Sequence, residues 1–324
     1  MSYFKGRPVI VTNQHVIIGQ TKLTIENIRG QKFQPKSGFL AKSADVAILA
    51  LTELPKGVTP LPLSSNVDQI TEPGNKILIV GNSLGDGALT TTKGSIKAIG
   101  PRKLEHDAPT FSGNSGSPVF HIKSGKVIGV DTLAKLSLKN ANWADEYSAQ
   151  QDDATVEEAG VRLFAIRFDN EKAWNKLNWK SLHEVAVKID QLESQISDAA
   201  AYLRSGSYSS ISDKEMRRKF MKAKEHWDSE NVSDIDSHNL YIRAIESMQD
   251  SIAYNIRYLK EQRMCYVQSR KVSLMASLAT NYDSALRILK DDYKLSKELN
   301  AGKYRMPERI RRYVYGVTYW WSSH

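Results

Sequence analysis

A serine flanked by glycines lies in the turn that most constrains the fold of this chain. Residues 112–119 read Ser-Gly-Asn-Ser-Gly-Ser-Pro-Val, with Ser115 between Gly113 and Gly116. Glycine adopts backbone angles that a side chain would penalise, so this spacing predicts a sharp turn that leads into a strand. Such a turn points backbone amides at one position, where a carbonyl oxygen gains negative charge during acyl transfer. A serine hydroxyl is a weak nucleophile, so chemistry at Ser115 requires a base and a group that orients that base.

A histidine and an aspartate upstream are candidates for these two roles. His15 follows an apolar run at residues 9–11, and Asp45 precedes a second apolar run at residues 46–51. Taken alone, each residue is more often structural, since an aspartate before a strand usually serves a turn or a cap. The order His15, Asp45, Ser115, with each residue at a strand or turn, favours a catalytic triad.

Three segments around these residues resemble the signature segments of trypsin-like serine peptidases. They are Thr-Asn-Gln-His-Val around His15, Ala-Asp-Val-Ala-Ile-Leu around Asp45 and Gly-Asn-Ser-Gly-Ser-Pro around Ser115. The HtrA/DegP-type branch, which lacks disulfides, is the most similar. The resemblance implies two six-stranded barrels over residues 1–172 with the triad in the cleft between them. It also implies a serine endopeptidase that acts on protein or peptide substrates and requires no cofactor.

The resemblance also assigns the surroundings of the nucleophile. The oxyanion hole would comprise Gly113, Asn114 and Ser115, with the amides of Gly113 and Ser115 as donors and Asn114 shaping the turn. The primary specificity pocket would have two walls, formed by Pro109, Thr110 and Phe111 and by Val130, Asp131 and Thr132.

The direction of the Asp131 side chain stays open, because strand alternation allows it to point to either face. Pointing inward, its carboxylate would favour Lys or Arg before the scissile bond, since a buried charge needs a partner. Pointing outward, it would leave an aliphatic pocket lined by Val130 and Phe111.

The first half of the chain predicts an all-β domain, because short runs of β-branched residues alternate with Gly, Pro and Asn turns. A polar stretch at residues 136–160 predicts a long loop. Trypsin-like barrels normally have a strand before the one that leads to the histidine, but 14 residues precede His15. We therefore expect that strand to be missing, with an incomplete first barrel or a truncated chain as the explanation. The predicted strands are 8–18, 22–28, 46–51, 76–80, 94–99, 117–122, 126–132 and 162–168.

Residues 173–324 are rich in helix formers and predict a bundle of four or five helices. In the first helix, apolar residues recur at spacings of three and four, which is a heptad pattern. The pattern fits either the core of an intramolecular bundle or an oligomerising coiled coil. We expect further helices at 213–228, from 233–236 to about 272, around Tyr282 to Leu299, and from Pro307. The heptad residues are Leu182, Val185, Ile189, Leu192, Ile196, Ala199 and Leu203.

The C-terminal residues 313–321 are dense in aromatic side chains and follow Arg309, Arg311 and Arg312. Three alternatives stay open for them: docking onto their own domain, binding a protein partner, or contacting nucleic acid or a membrane surface. The formal net charge of +9 permits an acidic partner or nucleic acid without pointing to either.

Cys265 is the single cysteine of the sequence, so no intrachain disulfide can form. Together with an N-terminus that lacks a hydrophobic signal segment, this favours a cytoplasmic location. No run of 18 apolar residues occurs, so we expect no membrane span. The PDZ domains usual in the HtrA/DegP-type family have no counterpart in residues 173–324. We therefore expect a regulatory or partner-binding helical domain there.

The sequence thus predicts a serine endopeptidase with a regulatory helical domain. A hypothesis from another class is a non-catalytic interaction protein that keeps the trypsin-like fold as a scaffold; the missing strand favours it and the triad opposes it. A third hypothesis is nucleic-acid binding through the basic helical half, which would weaken strongly with salt.

Overall fold

All strands in the described part of the chain precede residue 177, and the long helices follow residue 178. The computed structural model describes residues 1–4, 6–18, 23–85, 87–136, 161–229 and 235–299. They divide into a β-rich unit, Met1–His183 with Met264–Val267, and a helical unit, Glu184–Arg263 with the described residues from Gln268 onwards. A domain boundary at residues 172 and 173 stays a prediction.

The strands are numbered here in chain order. They are β1 (Ser2–Phe4), β2 (Arg7–Thr12), β3 (Ile25–Glu26), β4 (Lys32–Phe33), β5 (Ser37–Ala41), β6 (Ala47–Ala50), β7 (Lys76–Gly81), β8 (Thr90–Ile99), β9 (Lys103–His106), β10 (Pro118–His121), β11 (Lys126–Leu136), β12 (Val161–Ile166) and β13 (Trp174–Lys176). The helices are α1 (Gln14–Ile17), α2 (Trp179–Ser205), α3 (Lys214–Ser229), α4 (Ile235–Glu261) and α5 (Tyr266–Leu299).

The N-terminal sheet is five-stranded and open, with the order β1-β2-β6-β5-β13, and β3 pairs with β4 in a separate hairpin. The expectation that no strand precedes the histidine strand is wrong, because β1 pairs with β2 from Ser2↔Val9 to Phe4↔Arg7. Leu61 is bonded to the residues at the start of β1: its amide donates to Met1 O at 2.9 Å, and Ser2 Oγ donates to its carbonyl at 2.7 Å.

The second barrel is closed and six-stranded, as the resemblance implies, with the strand order β10-β11-β12-β9-β8-β7. Buried residues alternate with less buried ones along β7, β9 and β10, as expected for strands of a closed barrel. The predicted strands at 76–80 and 94–99 are parts of β7 and the longer β8, whereas β5, β9 and β13 were not predicted. The interior is packed with buried apolar residues: Val67, Ile77, Ile79, Ile96, Leu104, Ala108, Val119, Ile128 and Ala165.

Residues 8–18 form two elements rather than the single predicted strand. β2 ends at Thr12, and the one-turn helix α1 follows from Gln14. The first amides of α1 need acceptors from outside the helix. Asp45 Oδ1 supplies one, accepting from the amides of Gln14 at 2.7 Å and His15 at 3.1 Å. An acceptor about thirty residues downstream creates this turn, which periodicity in the local sequence does not reveal.

The heptad residues of α2 are all buried, with relative exposures of 5% or less. Their burial within a single chain is the outcome that the intramolecular alternative predicts. The structure confirms a helix near 213–228 as α3, and the Tyr202 ring packs on the Phe220 ring with centroids 4.3 Å apart. The predicted long third helix is wrong, since α4 ends at Glu261 and α5 begins at Tyr266. The helix expected from Pro307 and the loop at 137–160 lie outside the described residues.

Arg167 is the centre of a buried ionic network in the β-rich unit. It is 2% exposed, and its guanidinium donates to Asp68 at 2.6 Å, Asp169 at 2.9 Å and the Gly100 carbonyl at 2.8 Å. The side chain of Asp169 is itself 2% exposed and also accepts from the Val67 amide at 2.9 Å. A buried charge of this kind is stable when it is paired and hydrogen-bonded.

Arg167→Met should lower the free energy of unfolding by about 3–5 kcal/mol, because the Asp169 carboxylate would stay buried without its cation. Urea denaturation followed by circular dichroism measures this. Arg162→Met is the control, since Arg162 pairs with Glu105 at the surface and its side chain is 52% exposed. The control should lose about 1 kcal/mol or less. Equal losses in the two variants would contradict the structural role of the network.

Candidate active site

His15 and Asp45 form a close pair. The distance between His15 Nδ1 and Asp45 Oδ2 is 2.6 Å, and Asp45 is 7% exposed. The second carboxylate oxygen accepts from the amides of Gln14 and His15. An acceptor at Nδ1 selects the tautomer with the proton on that atom, which leaves Nε2 as the basic nitrogen. The pair therefore has the arrangement of a general base and its orienting acid.

The register of the N-terminal sheet brings this pair together. β2 and β6 are antiparallel with Thr12 opposite Ala47, so His15, just after β2, and Asp45, just before β6, lie at the same end of the sheet. Asn13, which is fully buried, fixes the connection by donating from Nδ2 to the Asp45 carbonyl at 2.8 Å. The sequence thus places both groups by strand pairing and holds them by local hydrogen bonds.

The turn at Ser115 depends on two glycines with positive φ. Gly113 has φ +92° and Gly116 has φ +86°, which are angles that favour glycine. Within the turn, the Asn114 amide donates to the Phe111 carbonyl at 3.0 Å and the Ser117 amide donates to the Asn114 carbonyl at 2.9 Å. Asn114 is therefore bound into the turn, and its amide is not available to a ligand.

The amides of Gly113 and Ser115 have no acceptor among the residues that the structure describes. Leu84 is bonded to the start of the same turn, since its amide donates to the Ser112 carbonyl at 2.6 Å. Leu84 has φ +63°, which is unusual for a residue with a side chain and typical of backbone strained at functional sites. Two free amides beside the serine are the donors that a tetrahedral oxyanion requires.

The serine turn lies against the strand that leads to His15. A Cβ placed on Gly116 would overlap Thr12 Oγ1 and meet the Thr12 Cα at 3.3 Å. In the described residues, no hydrogen bond joins Ser115 to His15. The structure therefore has the His15–Asp45 bond formed and the serine turn adjacent, and catalytic hydrogen bonds often tighten only when substrate binds.

The Asp131 side chain points inward, so the outward alternative is wrong. Asp131 is 0% exposed, its Oδ1 lies 3.2 Å from His106 Nε2, and it accepts from Thr110 Oγ1 at 3.3 Å. The Asp131 backbone is bonded to the serine turn, with its amide donating to Ser117 O and its carbonyl accepting from the Gly116 amide. Of the predicted pocket residues, Thr110 and Asp131 are thus brought together.

The other predicted pocket residues have different surroundings. Val130, on the opposite strand face, packs in an apolar cluster with Val46 and Ile166. Phe111 is 48% exposed. Pro109 is exposed and Thr132 is buried. His106 was not among the predicted site residues. It lies on β9, a strand that was not predicted from the sequence.

Burial raises the pKa of the Asp131 carboxyl above its ordinary value, although the bond and charge of His106, the bond from Thr110 and the backbone amide of Thr132 act in the opposite direction. Asp131 Oδ2, His106 Nδ1 and Thr132 Oγ1 are buried and have no hydrogen-bond partner in the described structure. An ionised carboxylate with one unpaired oxygen is costly, which explains the direction of the shift.

A metal site was not found among the described residues, where no three His, Cys, Asp or Glu side chains are grouped to hold an ion. Across the same residues, no helix has the length and apolar character needed to cross a membrane.

The family model of the trypsin-like peptidase domain matches residues 3–130, which include all three candidate triad residues. The HtrA/DegP-type resemblance of this part of the chain is confirmed by several serine proteases of that type.

Serine protease HTRA1A of Danio rerio is 29% identical over 136 residues, which cover 39% of this chain and 28% of that protein. Serine protease Do-like HtrB of Bacillus subtilis is 31% identical over 141 residues, covering 38% of this chain and 29% of that protein. The chain therefore spans less than a third of the length of these relatives. The solved structure of HtrA-type protease AlgW with a decapeptide covers 56% of this chain and 49% of that one, with 19% identity and a TM-score of 0.37.

Asp131→Asn should change how stability depends on pH. A carboxyl whose pKa is raised on folding favours the folded state below its unfolded pKa, ordinarily 3.8, and that contribution is lost as pH rises through the folded pKa. The free energy of unfolding of the wild type, relative to that of Asp131→Asn, should therefore fall as the pH rises above 3.8, the ordinary pKa of the carboxyl. Urea unfolding across the acid-to-neutral range measures this difference.

Asp107→Asn is a control of opposite sign. The bonds of Asp107 with Lys97 and Ser95 outweigh its partial burial and lower its pKa. Wild-type stability relative to Asp107→Asn should therefore rise with pH through that range. If both differences have the same sign, the account of Asp131 is wrong.

Proposed function

Because residues 3–130 form a trypsin-like peptidase domain of the kind found in HtrA-type serine proteases, we propose that this chain is a serine endopeptidase. Ser115 is the nucleophile, His15 the general base and Asp45 the orienting acid. The observation that carries the proposal is the 2.6 Å contact between His15 Nδ1 and Asp45 Oδ2, in a domain whose serine turn has two unbonded amides.

The reaction follows from these groups. Ser115 Oγ attacks the peptide carbonyl carbon while His15 Nε2 takes the hydroxyl proton, and Asp45 stabilises the resulting imidazolium. The carbonyl oxygen, now negative, accepts from the amides of Gly113 and Ser115. When the tetrahedral intermediate collapses, the C–N bond breaks and His15 protonates the leaving amine. Water then attacks the acyl-enzyme with His15 again as base, which releases the acid and restores Ser115.

The missing-strand argument for the non-catalytic alternative is removed, since β1 precedes and pairs with the strand that leads to His15, although the first sheet is open and five-stranded where the resemblance implied a six-stranded barrel. Binding of nucleic acid or of a protein partner through the helical unit stays a prediction, as does the cytoplasmic location. A regulatory role of the helical unit is part of our proposal.

Ser115→Ala, His15→Ala and Asp45→Ala should each lower peptide hydrolysis by a factor of about 10⁴ or more, because the three residues act as a unit. Turnover of a fluorogenic peptide library by purified full-length variants measures this. The double variants should be scarcely slower than the slower single variant. Ser124→Ala is the control, because Ser124 lies between β10 and β11 and bonds His121, which belongs neither to the triad nor to the serine turn. Wild-type turnover in Ser115→Ala would contradict the assignment of the nucleophile.

We propose further that the residue before the scissile bond is Lys or Arg. The Asp131 carboxylate is buried beside Thr110, which is half-buried, and its Oδ2 has no hydrogen-bond partner among the residues that the structure describes. A cationic substrate side chain would supply the missing partner of this oxygen, and a buried carboxylate is stable only when it is paired. The inward direction of Asp131 supports this specificity over the aliphatic one.

Cleavage of a peptide library, read by mass spectrometry, should show Lys or Arg before the cut. Asp131→Asn should reduce that preference by about tenfold or more while hydrolysis of other bonds persists, because the carboxylate charge that pairs with the cationic substrate side chain is lost. Glu105→Gln is the control, since Glu105 precedes His106 and bonds Arg162 at the surface. A preference for small aliphatic residues that Asp131→Asn leaves unchanged would overturn the cationic specificity.

A further inference from the structure

The four residues Met264–Val267, which comprise the end of the connection between α4 and α5 and the first two residues of α5, belong to the β-rich unit. Cys265 is 4% exposed and Val267 is 6% exposed. Both pack in the apolar core that contains Ile17 of α1, along with Leu40, Ala47, Leu49, Leu177 and Leu182. A segment more than eighty residues beyond β13 in the sequence therefore completes the core beneath the helical turn that carries His15.

Gln14, the residue before His15, is bonded to this segment and to the residues around Asp45. It is 0% exposed. Its Nε2 lies 2.7 Å from the Ala41 carbonyl and 3.1 Å from the Val46 carbonyl, and its Oε1 accepts from the Val267 amide at 3.4 Å. Its own amide donates to Asp45 Oδ1 at 2.7 Å. The Gln14 side chain thus links the base turn, the strand that follows Asp45 and the Met264–Val267 segment.

The orientation of His15 depends on such contacts because α1 is one turn long. A helix of four residues does not form on its own, since the first turn fixes several dihedral angles for a single hydrogen bond. The turn is therefore held by its surroundings. Asp45 accepts from its first amides, the Gln14 side chain donates to backbone carbonyls, and Ile17 packs in the apolar core. Two of these three supports involve the Met264–Val267 segment.

We propose that Met264–Val267 is a positioning element of the peptidase site, which acts on His15 through Gln14 and Ile17. This inference rests on the proposed function, because it concerns the rate at which His15 activates Ser115. The peptidase site is then incomplete in residues 1–183 alone.

The test is the reaction of Ser115 with a fluorophosphonate probe in the full-length chain. Val267→Ala removes two buried methyl groups from the core beside Ile17 and keeps the amide that bonds Gln14. Gln14→Met removes the polar bonds and keeps a side chain of similar length. Each should lower the maximal labelling rate by about tenfold, because a small displacement of the base costs that much. The probe concentration for half-maximal rate should not change.

Val272→Ala is the matched control. Val272 is 2% exposed, lies on α5 and belongs to the helical unit. The same substitution there should lower thermal stability and leave the labelling rate at wild-type value. Labelling rate and labelled fraction separate the two effects: a merely unstable variant loses labelled fraction, whereas a misplaced His15 slows the rate of the folded molecules. Because Val267→Ala keeps the polar bonds of Gln14, it tests the inference even if Gln14→Met does not fold.

Equal labelling rates in Val267→Ala, Val272→Ala and the wild type would overturn the inference while leaving the peptidase function intact. A folded wild type that does not react with the probe at all would instead remove the proposed function, and this inference with it. In the double variant Gln14→Met/Val267→Ala, the labelling rate should fall by less than the product of the two single effects, since both substitutions act on the His15 turn. Full multiplication of the two effects would mean that Gln14 and Val267 act separately and would contradict the positioning role.

Discussion

The Asp45 carboxylate is the interaction on which the candidate site depends. One oxygen accepts from the amides of Gln14 and His15 and so starts the helical turn α1, while the other lies 2.6 Å from His15 Nδ1. A single buried side chain therefore both builds the local backbone and orients the imidazole. Its loss would leave two amides of α1 without acceptors and free the ring to rotate, so structure and chemistry would fail together.

The three candidate triad residues could be proposed from the sequence because each lies in a local pattern with a physical cause. Ser115 needs glycines on both sides for the turn, and both have positive φ in the structure. Several strands of the second barrel were also predictable, since they carry runs of β-branched residues between turn residues, whereas the closure of the barrel was implied only by the resemblance to trypsin-like peptidases. These features depend on neighbours in the sequence.

Features that depend on distant contacts could not be predicted. The acceptor that creates α1 is Asp45, and the break between α4 and α5 contains neither Gly nor Pro to mark it. The direction of Asp131 depends on strand register to within one residue, and β1 was too short to be recognised as a strand. In each case a contact between residues remote in sequence decides the structure.

The central claim is that Ser115 is an activated nucleophile, and its covalent labelling tests this most directly. After reaction of the full-length protein with a fluorophosphonate, proteolysis and mass spectrometry identify the modified residue. The account predicts a single adduct on Ser115, formed about 10⁴-fold more slowly in Asp45→Asn because the tautomer and orientation of His15 are lost. An adduct on another residue, or labelling of Ser115 at an unchanged rate in Asp45→Asn, would contradict it.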